Sequence, residues 1–111
     1  MNVVVLQGVL ARPAELRTLP SGDVLAALEL TTRDPDGVAL TVPVVWGAVT
    51  EEQMASLEAG AEIAVLGVVR RRFFRAGGAT QSRTEVVADL VVPAHDRRKA
   101  RRLVDLAAKR L

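Results

Sequence analysis

Between residues 70 and 83 the chain carries five arginines, two phenylalanines and no acid: Arg70, Arg71, Arg72, Phe73, Phe74, Arg75 and Arg83. An extended strand points successive side chains to opposite sides. Arg70, Arg72 and Phe74 would then share one face, and Arg71, Phe73 and Arg75 the other. Cations in line with a ring suit a ligand that is both anionic and flat-faced. Guanidinium groups make strong charge-assisted bonds to anionic oxygens, and the ring offers a surface for stacking. The only other aromatic residue in the chain is Trp46. With so few rings, the core must be built from Val, Leu, Ile and Ala, so each ring calls for an explanation.

Charge is distributed unevenly. Residues 1–95 hold 8 arginines against 11 acids, whereas residues 96–111 hold 7 Arg or Lys against 2 Asp. The cations thus gather in two segments, 70–83 and 96–111, and both are candidates for contact with polyanions. Other chemistry is poorly served. There is no cysteine, and the single histidine, His95, has no partner ligands and reads as a surface residue. Glu51 and Glu52 suit the first turn of a helix, where the dipole favours acids. Glu29, Glu85 and Asp89 fall in strand-like segments away from any nucleophile. No phosphate-cradling Gly-Lys-Ser/Thr motif is present. The sequence therefore implies no enzyme, no catalytic residue, no metal site, no cofactor and no small-molecule substrate.

Five strands and one short helix are expected to position these residues. Segments 2–11, 24–33, 38–46, 61–74 and 83–92 are rich in β-branched and apolar residues and end at turn formers such as Pro20-Ser21-Gly22 and Asp34-Pro35-Asp36-Gly37. Segment 38–46 is apolar at nearly every position, too continuous for a strand with one wet face. Pro43 within it marks a sheet edge or a bulge. Thr50 and Gln53 form a capping-box pair that starts a helix carrying Met54 and Leu57 inward, and Gly60 stops it. Arg75–Ala79 reads as a flexible loop. Beyond residue 95, Ala100, Leu103, Val104, Ala107, Ala108 and Leu111 make one helical stripe. That helix would hold Arg97, Arg98 and Lys99 in its first turn, against the macrodipole. Either it starts later than Asp96 or an anionic partner offsets the cost. The division is a barrel domain over 1–95 and a basic amphipathic segment over 96–111. The N-terminus lacks the pattern of a signal peptide and no apolar run is long enough for a span, so a soluble, cytoplasmic protein is expected.

The order of three strands, a helix and two strands is that of the OB-fold, a small all-β barrel. Several stretches sharpen this: Asn2-Val3-Val4-Val5-Leu6-Gln7-Gly8, Pro20-Ser21-Gly22, Val44-Val45-Trp46-Gly47, Gly67 through Phe74, and Thr84-Glu85-Val86-Val87. Together they resemble the bacterial single-stranded DNA-binding protein family over about residues 2–92. The resemblance implies sequence-tolerant binding of single-stranded DNA in replication, repair or recombination, and assembly into a homo-oligomer, dimer or tetramer. It places base stacking on Trp46 and Phe74 and phosphate contact on Arg70 and Arg72, with Phe73, Arg75 and Arg83 completing the site. Leu40 stands where the family often has a further aromatic, and the family's acidic tail is replaced by the basic segment. Two alternatives stay open. Trp46 and one of the two phenylalanines could instead be packing residues, and the whole domain could serve protein assembly with weak or no DNA binding.

Overall fold

The computed structural model describes all 111 residues. Its elements are β1 (Val4–Leu10), β2 (Glu15–Thr18), β3 (Val24–Arg33), β4 (Ala39–Gly47), α1 (Glu51–Ala55), β5 (Glu62–Ala76), β6 (Ala79–Pro93) and α2 (Arg97–Ala108). Five strands close into a barrel in the order β1-β5-β6-β4-β3, with β3 returning to β1 and β2 added on the outer edge of β3. Neighbours are antiparallel except β4 and β6, which run parallel through Val44↔Val86, Val45↔Val87 and Trp46↔Ala88. Closure at β1–β3 depends on two pairs, Val9↔Thr31 and Leu10↔Leu30. Gly8 sits at this seam because a Cβ there would meet the Thr31 carbonyl oxygen at 2.3 Å.

The alternation of apolar residues builds the core. Ala26, Leu28 and Leu30 of β3, Val44 and Trp46 of β4, Ile63 and Val65 of β5, and Val86 and Ala88 of β6 all point into the barrel with Leu10. The near-continuous apolar run of β4 is thereby resolved. Its inward half fills the core, while Pro43 and Val45 are half-buried on the outside. Pro43, which has no N–H, faces Glu29 of β3 and lies one residue beyond the ladder to β6. In α1 the expected capping box is formed, with Thr50 N donating to Gln53 Oε1 at 2.9 Å and Gln53 N to Thr50 Oγ1 at 3.1 Å. The helix is only five residues long, and Leu57 just past it is buried.

Two expectations are corrected. The segment after Pro13, which carries no apolar alternation, forms β2 by pairing Glu15–Thr18 with Val24–Ala27, all four residues exposed. Arg75–Ala79 is not a flexible loop. The β5–β6 ladder continues out to Ala76↔Ala79 and turns through Gly77 and Gly78 alone. Their φ values of 59° and 79° are those of a two-residue hairpin turn whose twist matches the strands.

Part of the C-terminal stripe packs on the barrel's outer wall, while Val104, Ala108 and Leu111 stay exposed. Leu103 and Ala107 of α2 join Ala64 and Leu66 of β5 and Val92 of β6 in a second, smaller core. The helix begins at Arg97, with Asp96 as its N-cap accepting a bond from Lys99 N at 3.1 Å. A later start is thus excluded. Like-charge neighbours Arg97/Arg101 and Arg98/Arg102 each cost about 0.2–0.5 kcal/mol. Burial of Leu103, worth roughly 1.5–3 kcal/mol, and the Asp96 cap, worth about 1 kcal/mol, outweigh them. No helix is long and apolar enough to cross a membrane.

Candidate functional site

β5 changes character along its length. Ile63 through Gly67 are buried on both faces, one against the barrel core and the other under α2. At Gly67 the strands press together: a Cβ would lie 2.1 Å from the Val87 carbonyl oxygen. The register to β6 slips between Leu66 and Gly67, leaving Asp89 as the extra residue of a bulge. Beyond it the two strands leave the barrel as a ribbon, and residues 69–73 are exposed. All the arginines and phenylalanines between 70 and 83 belong to this ribbon.

Its two faces differ in what they offer. Arg71, Phe73 and Arg75 continue the phase of Ile63 and Val65, past the point where the barrel covers it. Thr84, Ser82 and Thr80 stand opposite them on β6. Phe73 is 66% exposed. Arg71 makes no ion pair, and Arg75 donates only to the Gly78 carbonyl at 3.2 Å. This face therefore carries two cations flanking an open ring, beside a row of hydroxyls.

The other face is largely committed to internal contacts. Arg72 Nε lies 3.2 Å from Oε1 of Glu85, a carboxylate only 5% exposed. The Arg72 guanidinium also sits 5.4 Å from the centroid of the half-buried Phe74 ring, a cation–π contact. Arg83 pairs with Glu29 of β3 at 3.8 Å. Arg70 is exposed and unpaired. The adjoining cleft on the barrel wall is lined by Arg12, Arg17 and Arg83 but equally by Glu15, Glu29 and Glu85. Its cations have carboxylates beside them, which makes it a poor seat for a polyanion.

Trp46 requires a correction. Its ring is 7% exposed, packed in the barrel among Ala26, Val44 and Val86. The position before Gly47 falls on the inward phase of β4, and small Ala26 opposite leaves room for the indole. It has no face to give to a base. Of the seven expected site residues, six share the ribbon and Trp46 lies apart from them. Phe73, not Phe74, is the open ring. The signal for this is the strand phase: with Ile63 and Val65 inward, Phe73 is fixed on the face that emerges from the barrel. The neutralising roles of Glu29 and Glu85 have no such signal, because their partners are set by strand neighbours distant in sequence.

No protein-family model matches this chain, and no curated protein gives a significant match.

Proposed function

We propose that this chain is an OB-fold protein that binds single-stranded DNA with little sequence preference, the strand lying along the β5–β6 ribbon. One observation carries the reading: Arg71, Phe73 and Arg75 in line on a face that leaves the barrel, with the ring open and Arg71 unpaired. A base stacked on Phe73 contributes about 1–3 kcal/mol whatever its identity, because every base has a π-face. The flanking guanidinium groups would meet the phosphates on either side. A closed barrel with one parallel pair, and the helix lying between β4 and β5, supports the OB-fold reading. The mechanism is passive: the protein covers exposed strands during replication, repair or recombination in the cytoplasm and keeps them from re-pairing.

The test is anisotropy of a labelled oligo-dT strand and of a matched duplex. The strand should bind and the duplex should bind far more weakly, with a log–log salt slope near −0.7 per phosphate neutralised. Phe73→Ala should weaken strand binding by about 1–3 kcal/mol. A wild-type protein that leaves the strand's anisotropy unchanged at low salt refutes the proposal.

A second reading, assembly into a homo-oligomer, has its own observation. The β3-side edge of β1 is unpaired from Val4 to Gly8, beside exposed Val5 and Val9. Such an edge can accept a strand of another copy. If sedimentation shows an oligomer that Val5→Lys disrupts while no strand binds, assembly is the function.

A further inference from the structure

We propose that the outward face of α2 is a second backbone-contacting surface, on which the same nucleic-acid strand continues after leaving the ribbon; this rests on the single-strand reading above. Arg97, Arg98, Lys99, Arg101, Arg102 and Lys109 are all exposed and none makes an ion pair within the chain. Asp105 is the one acid between Arg97 and Arg110. The first turn holds three cations and no acid, so they face the positive end of the helix dipole. Leu103 burial and the Asp96 cap hold the helix in place despite that arrangement, and a bound polyanion would relieve it further.

The chemistry selects the partner. A helix that lies on a bilayer needs an exposed apolar face to bury. Here Leu103 and Ala107 are packed against the barrel, and of the stripe's large apolar side chains only Val104 and Leu111 stay exposed. Six unpaired cations outnumber them on the outward side, which suits a phosphodiester backbone better than a bilayer. The placement also fits. Arg110 Nη1 holds Asp89 Oδ2 at 2.7 Å, fastening the end of the helix to the bulge where the ribbon departs. Asp89 is four residues from Glu85 along β6, about 13 Å of extended strand, and Glu85 is the register partner of Arg70. Free Arg70 continues the phase of Ala64 and Leu66, the side of β5 that α2 covers, so a strand leaving the Phe73 face reaches the helix by passing round the ribbon at Arg70.

The test combines Arg97→Gln, Arg98→Gln, Arg101→Gln and Arg102→Gln in one full-length variant and compares it with wild type and with Phe73→Ala. Each is titrated across salt with a short oligo-dT that spans the ribbon alone and with a long one. The quadruple variant should keep its affinity for the short strand. On the long strand its log–log salt slope should fall by about 3, roughly 0.7 for each phosphate no longer neutralised. It should melt no lower than wild type, because like-charge neighbours have been removed, so weaker binding cannot be put down to unfolding. An unchanged slope on the long strand overturns the proposal. So does co-sedimentation of wild type with phosphatidylglycerol vesicles that is abolished in the quadruple variant while its long-strand slope is kept. If Phe73→Ala binds like wild type while the quadruple variant no longer holds the strand, the ribbon reading fails and the helix surface stands.

Discussion

Breaking the Arg72–Glu85 pair from its two ends should give unequal results, and the inequality follows from burial. Glu85 is 5% exposed, whereas the Arg72 side chain is 46% exposed. In Glu85→Gln the guanidinium left behind can turn to water. The loss is then that of one charge-assisted bond at a half-exposed site, about 1–2 kcal/mol. In Arg72→Gln the carboxylate left behind loses its ion pair and stays mostly covered, at the edge of the cleft on the barrel's outer wall. Removing one partner of a buried pair costs roughly 3–5 kcal/mol, and about 3 is expected here because one end is solvated. The double variant should be more stable than Arg72→Gln alone, since no charge is stranded. Trp46 is the only tryptophan and lies in the core, so its emission reports unfolding directly in urea titrations. For a slope near 1.5 kcal/mol/M, Arg72→Gln should lower the midpoint by about 2 M. Equal destabilisation by the two single variants, or a double variant whose loss is their sum, refutes the argument. Glu85→Gln should leave the salt slope of oligo-dT binding unchanged, because Arg72 is on the face of the ribbon opposite Phe73.

Two further outcomes are expected. Gly67→Ala sets a Cβ against the Val87 backbone, which cannot move aside as a side chain would; about 1–3 kcal/mol of stability should disappear in the same urea titration. Leu103→Ala should cost roughly 2–5 kcal/mol of helix packing, seen as faster hydrogen exchange in α2 while amides in the barrel core remain protected.

The elements that alternate cleanly are legible in the sequence. Ala26, Leu28 and Leu30 mark β3, Thr50 and Gln53 mark the start of α1, and the Ala100–Leu111 stripe marks α2. β2 is not legible, because Glu15-Leu16-Arg17-Thr18 has no buried side and exists only through its pairing with β3. Composition reveals the cationic ribbon but not its phase. Which of Phe73 and Phe74 is open depends on where the barrel stops covering β5, and that is decided by β1 and β3. Trp46 escapes sequence reasoning on the same ground: the identity of a residue before a glycine does not say which way its strand alternates. The ion pairs of Arg72 and Arg83 join neighbouring strands across the sheet, and no spacing along the chain records them.

β5 is one continuous strand with two regimes, sealed from Ile63 to Gly67 and open from Val69 to Phe73. Arg72 apart, whose partner Glu85 is buried, substitutions in the open half meet solvent and the facing strand only, so their effects on the fold should be slight. The first half cannot change without disturbing two cores at once. A lineage could therefore rewrite the ribbon's cations and ring, and with them the ligand's length and chemistry, while the barrel beneath stays the same. The boundary is Gly67, where two backbones nearly touch and no side chain fits.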